Sequence, residues 1–229
     1  MNRLITFEGV EGCGKTTQIR MAGDYLAAGG VPFIITEEPG GTPVGRRIRE
    51  LLLNEGIYER RNICAEAEVL LFSAARAQHV QEVILPALKA DYVVLCDRFT
   101  DATLAYQGWG RGLSIDFIKV LNTFASFSLT PDLTILFDLP VEMGLKRAMD
   151  RISRLKEADK KNKEQLAFDF TVAEDRFEQE VMDFHRKIRE SYLSLAKEEP
   201  MRYRIIDASR DIRTVHREVC GQLDAFMER

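Results

Sequence analysis

The sequence predicts an α/β fold in three layers, with a parallel sheet of about five strands between two layers of helices, and a helical lid. Two features of the chain support this prediction. Five short apolar runs alternate with longer segments in which apolar residues recur every three or four positions. Strands and helices that alternate in this way are typical of a parallel sheet covered on both faces. In addition, the first apolar run leads directly into a glycine-rich loop that precedes a helical pattern.

The five apolar runs are expected to form buried strands. They occupy positions 4–7, 32–36, 92–96, 133–137 and 203–206. Two C-terminal segments show the helical period most clearly. Their apolar positions are Phe177, Val181, Phe184, Ile188, Tyr192 and Leu195 in the first, and Ile212, Val215, Val219, Leu223 and Phe226 in the second. Because ligands of such sheets bind at the carboxyl ends of the strands, functional residues are expected directly after each strand.

Length and composition indicate one domain, residues 1–229, that contains an insertion. A chain of 229 residues lies within the range of one large α/β domain. Its formal net charge of −4 argues against a general nucleic-acid binder, which would be basic. No segment approaches the ~20 apolar residues of a membrane span, and the N-terminus lacks the apolar stretch of a signal peptide. No cysteines form the C-x-x-C pair that is typical of a zinc site. We therefore expect a cytoplasmic protein without nucleic-acid or membrane partners.

A charged segment at about 147–173 interrupts the alternation of strands and helices. Arg147, Arg151 and Arg154 recur at steps of four and three, which places them on one helix face. Taken alone, the composition favours a solvated helix end or surface loop. The alternative is a lid insertion that carries cations over a binding site, and this interpretation depends on the motifs that follow.

The loop after the first apolar run matches the phosphate-binding pattern G-x-x-x-x-G-K-[ST] between Gly9 and Thr16. Its glycines let successive backbone N–H groups point at phosphate oxygens, and the following helix adds its positive dipole end. Lys15 is expected to reach the β- and γ-phosphates, and the Thr16 hydroxyl to ligate Mg²⁺. The pattern predicts a P-loop NTPase fold that binds a nucleoside triphosphate and uses it for phosphoryl transfer. The loop alone does not separate kinases from GTPases or motor ATPases. The predicted ATP-binding residues are Gly9, Val10, Glu11, Gly12, Cys13, Gly14, Lys15, Thr16 and Thr17.

Asp97 and Arg98 directly follow the third apolar run. An acid at the end of a buried strand can hold Mg²⁺ or orient an attacking oxygen. An adjacent arginine can clamp a phosphate through its planar fork of donors. The alternative is a structural Asp–Arg pair that caps the strand.

Taken in order along nearly the whole chain, the motifs resemble those of thymidylate kinases. The Tyr-Gln-Gly-x-Gly-Arg-Gly run and the Phe-x-x-x-Arg pair are specific to this family among nucleotide kinases. The matching segments are the phosphate loop, Glu38-Pro39-Gly40-Gly41-Thr42, Leu71 to Gln78, Asp97-Arg98-Phe99, Ala105 to Gly112, Asp175-Arg176-Phe177-Glu178 and Ile206-Asp207-Ala208.

The resemblance implies a thymine pocket. In the family the thymine ring stacks on the residue that matches Phe72, and the arginine that matches Arg76 donates to a thymine carbonyl. Without the resemblance, Phe72 would be predicted to belong to the core. Thr103 and Gln107 match positions that make further polar contacts around the base. Tyr106 matches the residue whose ring crowds the sugar 2′ carbon and disfavours ribonucleotides.

The resemblance also implies which side chains surround the phosphates and the sugar. Arg49 and Arg98 match residues that hold the acceptor monophosphate, Glu38 belongs to a matching substrate motif, and Glu11 matches an acid that approaches the sugar 3′-hydroxyl. Lid arginines are expected to close over the transferring phosphate, because the phosphate loop has Glu11 and Cys13 where some members carry arginine. The predicted catalytic residues are Lys15, Arg98, Arg147, Arg151 and Arg176, and the predicted Mg²⁺ ligands are Thr16 and Asp97.

The function predicted is transfer of the γ-phosphoryl group of ATP to dTMP, with Mg²⁺ as cofactor, in a homodimer as the family forms. Another nucleotide or nucleoside kinase of the same fold, and a switch-type P-loop binding protein, are the alternatives. The chain departs from the family pattern at Glu37, which is usually arginine, at Ala102, which is often serine, and in a longer lid. The Glu37 departure removes one positive charge near the predicted monophosphate.

Overall fold

Five parallel strands form one sheet in the structure, which is a computed structural model. The structure describes the backbone of residues 3–53, 63–159 and 174–228. Side chains are not described for residues 151–181. The strands are β1 (Leu4–Gly9), β2 (Phe33–Glu37), β3 (Val93–Asp97), β4 (Leu133–Asp138) and β5 (Tyr203–Asp207). Their spatial order is β2-β3-β1-β4-β5, with pairs such as Leu4 with Val94 and Thr6 with Thr134. All five predicted strands are confirmed.

The prediction that every strand is buried is wrong for β2 and β5. These strands lie at the two edges of the sheet, and Ile35 and Ile205 are about half exposed. Strands β1, β3 and β4 have neighbours on both sides and are almost fully buried. Apolar runs therefore predicted the strands correctly, although they did not reveal which ones lie at the edges.

Helices pack on both faces of the sheet. Leu4, Val94 and Cys96 pack with Val80 and Ile84 in one core cluster. Ile5 and Phe7 alternate with Leu4 along β1 and belong to the other cluster, which contains the buried residues of the first helix. The helices are α1 (Lys15–Ala28), α2 (Pro43–Leu53), α3 (Ala65–His79), α4 (Leu85–Lys89), α5 (Thr100–Thr103), α6 (Ile115–Ala125), α7 (Val141–Asp159), α8 (Glu174–Glu198) and α9 (Ile212–Met227). None of the helices in the described part of the chain is long and apolar enough to cross a membrane.

Two π-helical segments, Val80–Ile84 and Leu104–Gly110, were not predicted from the sequence. The first joins α3 to α4. The second follows α5 and carries the family motif residues Tyr106 and Gln107, and within it Trp109 packs partly buried against the core. Such wide turns occur frequently at functional sites.

Because the sheet is parallel, the carboxyl ends of all five strands lie at one edge. The phosphate loop follows β1, Glu38 follows β2, Arg98 follows β3, and α7 begins shortly after β4. The predicted lid at 147–173 begins on α7, and its residues 160–173 lie outside the described residues.

Candidate active site

The phosphate loop has the conformation that its glycines allow. Gly9, Gly12 and Gly14 have positive φ angles of 140°, 71° and 93°. A Cβ atom on Gly12 would lie 2.0 Å from the carbonyl oxygen of Gly144 in α7, so the loop and this helix touch through backbone alone. No larger residue fits at this contact. Gly14 is the N-cap of α1, whose first N–H groups therefore open onto the loop.

Lys15 places its ammonium group inside the phosphate loop. Its Nζ donates to the carbonyl oxygens of Gly9 at 2.9 Å and Val10 at 3.2 Å, and lies 3.5 Å from the Cys13 Sγ. The Lys15 side chain is buried, so its charge has little contact with water. An anion bound in the loop would meet this charge together with the amide dipoles.

The two predicted metal ligands lie together. The Thr16 hydroxyl donates to the Asp97 Oδ2 at 3.1 Å, which joins the start of α1 to the end of β3. Both supply hard oxygen donors, the type that Mg²⁺ prefers. No group of three or more histidine, cysteine or acidic side chains is placed to hold a metal within the described residues. A magnesium ion that binds here would therefore take most of its ligands from phosphates and water, as it usually does.

Arg98 lies at the junction of three elements. Its backbone has a φ of 68°, in the left-handed region that non-glycine residues rarely adopt, and its N–H donates to the Phe7 carbonyl at 3.1 Å. Its guanidinium donates to the Tyr106 hydroxyl at 3.0 Å and the Tyr192 hydroxyl at 3.3 Å, and lies 3.4 Å from a Glu11 carboxylate oxygen. The side chain thus connects the phosphate loop, a π-helical segment and α8.

Tyr106 presents both its ring and its hydroxyl to this arginine. The Arg98 guanidinium carbon lies 4.8 Å from the centre of the Tyr106 ring, within the range of a cation–π contact. Burial raises the pKa of Tyr106, and the nearby Arg98 opposes this increase only in part. The hydroxyl therefore stays neutral near physiological pH and accepts the hydrogen bond from Arg98.

Glu8 is a fully buried acid of the site that the sequence analysis missed. Its carboxylate accepts hydrogen bonds of 2.7 Å from the Phe99 N–H and from the Tyr192 hydroxyl, which also accepts from Arg98. Burial, followed by the nearby carboxylate of Asp101, raises the pKa of Glu8 from an ordinary 4.5 to about 8, although Arg98 and both hydrogen bonds act in the opposite direction. Its position inside an apolar strand, directly before the phosphate loop, was the available signal.

Arg76 is the centre of a buried hydrogen-bond network. It is 2% exposed, and its guanidinium donates to Glu38 at 2.7 Å, Asn122 at 2.6 Å, Thr103 at 2.9 Å and the Phe99 carbonyl at 3.0 Å. Four of the five N–H groups of the guanidinium are thus engaged, which leaves one N–H on Nη1 for a further partner. The predicted substrate residues Glu38, Arg76 and Thr103 therefore lie together.

Phe72 lies one helical turn before Arg76 on α3 and is partly exposed. The interpretation that places it in the core is therefore not supported by its burial. A partly exposed ring on the same helix face as Arg76 is suited to stack on a planar ligand. The stacking itself stays a prediction.

His79 fixes the other side of the Glu38 carboxylate, and the sequence analysis gave it no role. The ring is fully buried, with Nδ1 at 3.0 Å from Glu38 and Nε2 at 2.6 Å from the Thr36 hydroxyl. Since a carboxylate only accepts, Nδ1 carries the hydrogen. These contacts hold the loop after β2 against α3.

Gln107 is buried and contacts α3. Its amide Nε2 donates to a Glu68 carboxylate oxygen at 2.7 Å, and the second oxygen of Glu68 forms an ion pair with Arg111 at 3.1 Å. Glu68 was not among the predicted site residues.

Arg49 meets the residue that departs from the family pattern. Its Nη1 donates to the Pro39 carbonyl at 2.8 Å and lies 3.3 Å from a Glu37 carboxylate oxygen. Glu37 stands where the family usually has arginine, so this region has one positive charge fewer. Its carboxylate also pairs with Arg49, the arginine that is predicted to hold the acceptor phosphate.

The lid arginines are described only in part. Arg147 is exposed on α7 and donates to the carbonyl oxygens of Ala208 at 2.9 Å and Ser209 at 3.4 Å, just after β5. Its predicted contact with the transferring phosphate therefore requires it to leave these carbonyls. Arg151 and Arg176 lie on α7 and α8, but their side chains fall outside the described part, so their catalytic roles stay predictions.

Comparison with known proteins agrees with this geometry. A family model described as thymidylate kinase matches residues 7–219. A thymidylate kinase of Syntrophus aciditrophicus is 53% identical over 228 residues, which cover 100% of this chain and 97% of the relative. The thymidylate kinase of Desulfovibrio desulfuricans is 47% identical over 225 residues, which cover 98% of this chain and 96% of the relative. The crystal structure of thymidylate kinase from Ehrlichia chaffeensis matches with a TM-score of 0.71 at 30% identity, over 96% of this chain and 97% of that one. The chain therefore belongs to the thymidylate kinase family.

Proposed function

We propose that the chain transfers the γ-phosphoryl group of ATP to dTMP, which gives dTDP and ADP. The observation that carries the proposal is the position of Arg98 between Glu11 of the phosphate loop and Tyr106, which lies next to the pocket residue Gln107. A guanidinium at this junction lies where a donor phosphate and an acceptor phosphate would meet. Family membership gives the acceptor its thymine base.

The phosphate loop holds the donor in this proposal. Its backbone N–H groups and the N-terminus of α1 bind the phosphates of ATP, and the buried Lys15 ammonium supplies a positive charge at the β- and γ-phosphates. Thr16 and Asp97 would hold Mg²⁺, which neutralises charge on the triphosphate when it is bound. The direct contact between these two side chains supports their joint assignment.

The acceptor is held from the opposite side. Arg49 and Arg98 bind the monophosphate, while Phe72 stacks on the thymine ring and the remaining Nη1 N–H of Arg76 donates to a thymine carbonyl. Burial of Arg76 among four acceptors fixes that donor in one direction. A donor that is already in place loses little conformational entropy when the base binds.

No general base is required for this reaction. The attacking phosphate oxygen of dTMP is already ionised near neutral pH, so the protein has to bring two anions together in line. Arg98 neutralises charge between them from a fixed position, because three elements hold its guanidinium. Arg147, Arg151 and Arg176 are proposed to add positive charge on closure of the lid, which also excludes water from the transferring phosphate.

We also propose that two copies of the chain associate through α6. Phe117, Val120 and Phe124 are 55%, 68% and 79% exposed, and their spacing of three and four places them on one helix face. Leu70 of the neighbouring α3 and Phe127 extend this apolar surface, since both are at least half exposed. A continuous apolar surface of this kind on a single chain is typical of a surface that another chain covers. A second copy is the proposed partner because the family forms dimers.

The proposed activity is tested by incubation of the purified chain with Mg²⁺, ATP and dTMP, followed by chromatographic separation of the nucleotides. We expect equal amounts of dTDP and ADP, and little ADP without dTMP. Steady ATP hydrolysis with unchanged dTMP would instead identify a switch-type P-loop protein. Phosphorylation of a nucleoside in place of the monophosphate would identify a nucleoside kinase.

A further inference from the structure

Two rows of polar side chains run along α3 and along α5 with the π-helical segment that follows it. On α3, Glu68 and Arg76 lie one turn before and one turn after Phe72. Arg76 donates to Thr103 at 2.9 Å, and Gln107 donates to Glu68 at 2.7 Å. Phe72 therefore lies between two polar contacts that join the two rows.

The contact with Glu68 fixes the orientation of the Gln107 amide. A carboxylate offers only acceptors, so the amide nitrogen must face Glu68, and the amide oxygen Oε1 must point away from it. Within the described residues nothing donates to Oε1, and Oε1 is absent from the buried polar atoms that lack a partner. Oε1 is therefore accessible to a ligand. Phe72, the predicted platform for the base, lies one turn after Glu68 on α3.

We propose that Glu68 is a positioning residue that selects thymine over cytosine by turning the Gln107 carbonyl oxygen toward the base. The proposal rests on the proposed function. Thymine and uracil carry an N3–H donor that the Gln107 Oε1 accepts. Cytosine has an acceptor at N3 and an amino group at C4, so it opposes Oε1 with an acceptor and the Arg76 N–H with a donor.

Arg111 supports this role of Glu68. Its guanidinium pairs with the second carboxylate oxygen of Glu68 and lies 5.4 Å from the centre of the Phe184 ring. The ion pair holds the carboxylate in place, because the cation is itself packed on an aromatic ring. A carboxylate accepts but does not donate, so Gln107 has no hydrogen bond to Glu68 when its amide is reversed.

The test is Glu68→Gln, which keeps the shape of the side chain but offers both a donor and an acceptor. The Gln107 amide can then turn its nitrogen toward the base. We expect the ratio of kcat/KM for dTMP to that for dCMP to fall about tenfold, on the scale of one or two hydrogen bonds. The change should appear mainly in the KM of the nucleotide. The ratio of dTMP to dUMP should stay constant, because uracil has the same N3–H.

Three controls separate positioning from a structural effect. Glu66→Gln changes an exposed acid on the same helix and should alter neither ratio. In a Gln107→Ala background, Glu68→Gln should have no further effect on the ratio of dTMP to dCMP, because the amide is gone. Glu68→Ala releases the same amide by a second route, and thermal unfolding identifies any variant that is not folded.

Equal losses for dTMP, dUMP and dCMP in Glu68→Gln, or no loss, would overturn the proposal. A further change in the ratio in the Gln107→Ala background would do the same, because the effect would then not pass through Gln107. If the unmodified chain phosphorylates dTMP and these outcomes appear, only the role of Glu68 fails. If the unmodified chain leaves dTMP unchanged, the proposed function itself fails.

Discussion

Replacement of Arg98 by alanine tests the charge that joins the phosphate loop to the base pocket. The change removes a guanidinium that is 19% exposed and contacts Tyr106, Tyr192 and Glu11 at 3.0 to 3.4 Å. Its three partners hold it between the phosphate loop and the base pocket.

The expected loss in kcat/KM for dTMP is about 10²- to 10³-fold, the range measured when one fixed donor to a transition-state anion is removed, or about 2.7–4 kcal/mol. Arg98→Lys keeps the charge but presents a single ammonium in place of a planar fork, so an intermediate loss is expected. The loss should appear in kcat as well as in the KM of dTMP. The KM of ATP should change much less, because Lys15 and the loop amides remain.

Steady-state measurement of ADP release with dTMP as the varied substrate gives both constants. Arg217→Ala serves as a matched control, because this exposed arginine on α9 donates to Thr214 and interacts electrostatically with Asp211, neither of which is a predicted site residue. It should behave as the unmodified chain does. Arg98→Ala kinetics within about threefold of the unmodified chain, in folded protein, would refute the role assigned to this guanidinium.

Three further predictions follow from individual contacts. Glu37→Gln releases Arg49 from a half-exposed ion pair, so the KM of dTMP should fall by up to about fivefold at low salt, and an unchanged KM would show that Glu37 does not compete with the phosphate. Glu8→Gln should remove a pH dependence. Folding raises the pKa of Glu8 from 4.5 to about 8, so the unfolding free energy of the unmodified chain falls as the pH rises through this range, by about 5 kcal/mol at most. Denaturant titrations at pH 5 and pH 9 should show a smaller difference in the variant, and an equal difference would contradict the assignment. Phe124→Glu places a charge on the apolar surface of α6 and should give monomers in analytical ultracentrifugation, whereas an unchanged dimer would locate the interface elsewhere.

The parts of the site that the sequence predicted are those coded by local patterns. The phosphate loop is continuous, and its glycines allow the positive φ angles that its shape requires. Asp97 and Arg98 directly follow an apolar run, and parallel topology then brings them to the edge where the loop lies. Phe72 and Arg76 share a helix face because they are four residues apart.

The missed residues depend on contacts between distant segments. His79 lies 41 positions from Glu38, Glu8 lies 91 positions from Phe99, and Glu68 lies 39 positions from its partner Gln107. Residue spacing carries no information on such pairs. A buried histidine is also an ordinary constituent of a core when its partners are unknown, whereas Glu8 gave a signal as an acid inside an apolar strand.

The π-helical segment Leu104–Gly110 was missed for a different reason. The chain winds into a wide helical turn in which the Arg111 N–H donates to the Tyr106 carbonyl, five residues back. This extra residue in the turn changes which side chains share a face. Tyr106 contacts Arg98, whereas the next residue, Gln107, contacts Glu68. Helical periodicity did not reveal this arrangement.

A competition among nucleotide acceptors tests the central claim most directly. The chain is incubated with Mg²⁺, ATP and an equimolar mixture of dTMP, dUMP, dCMP, AMP and GMP, and the diphosphates are separated over time. We predict that dTDP forms first, with dTMP favoured over dUMP by at least about tenfold for the additional methyl group and by more over the other three. Unchanged dTMP, while another acceptor is phosphorylated or ATP is hydrolysed alone, would contradict the account.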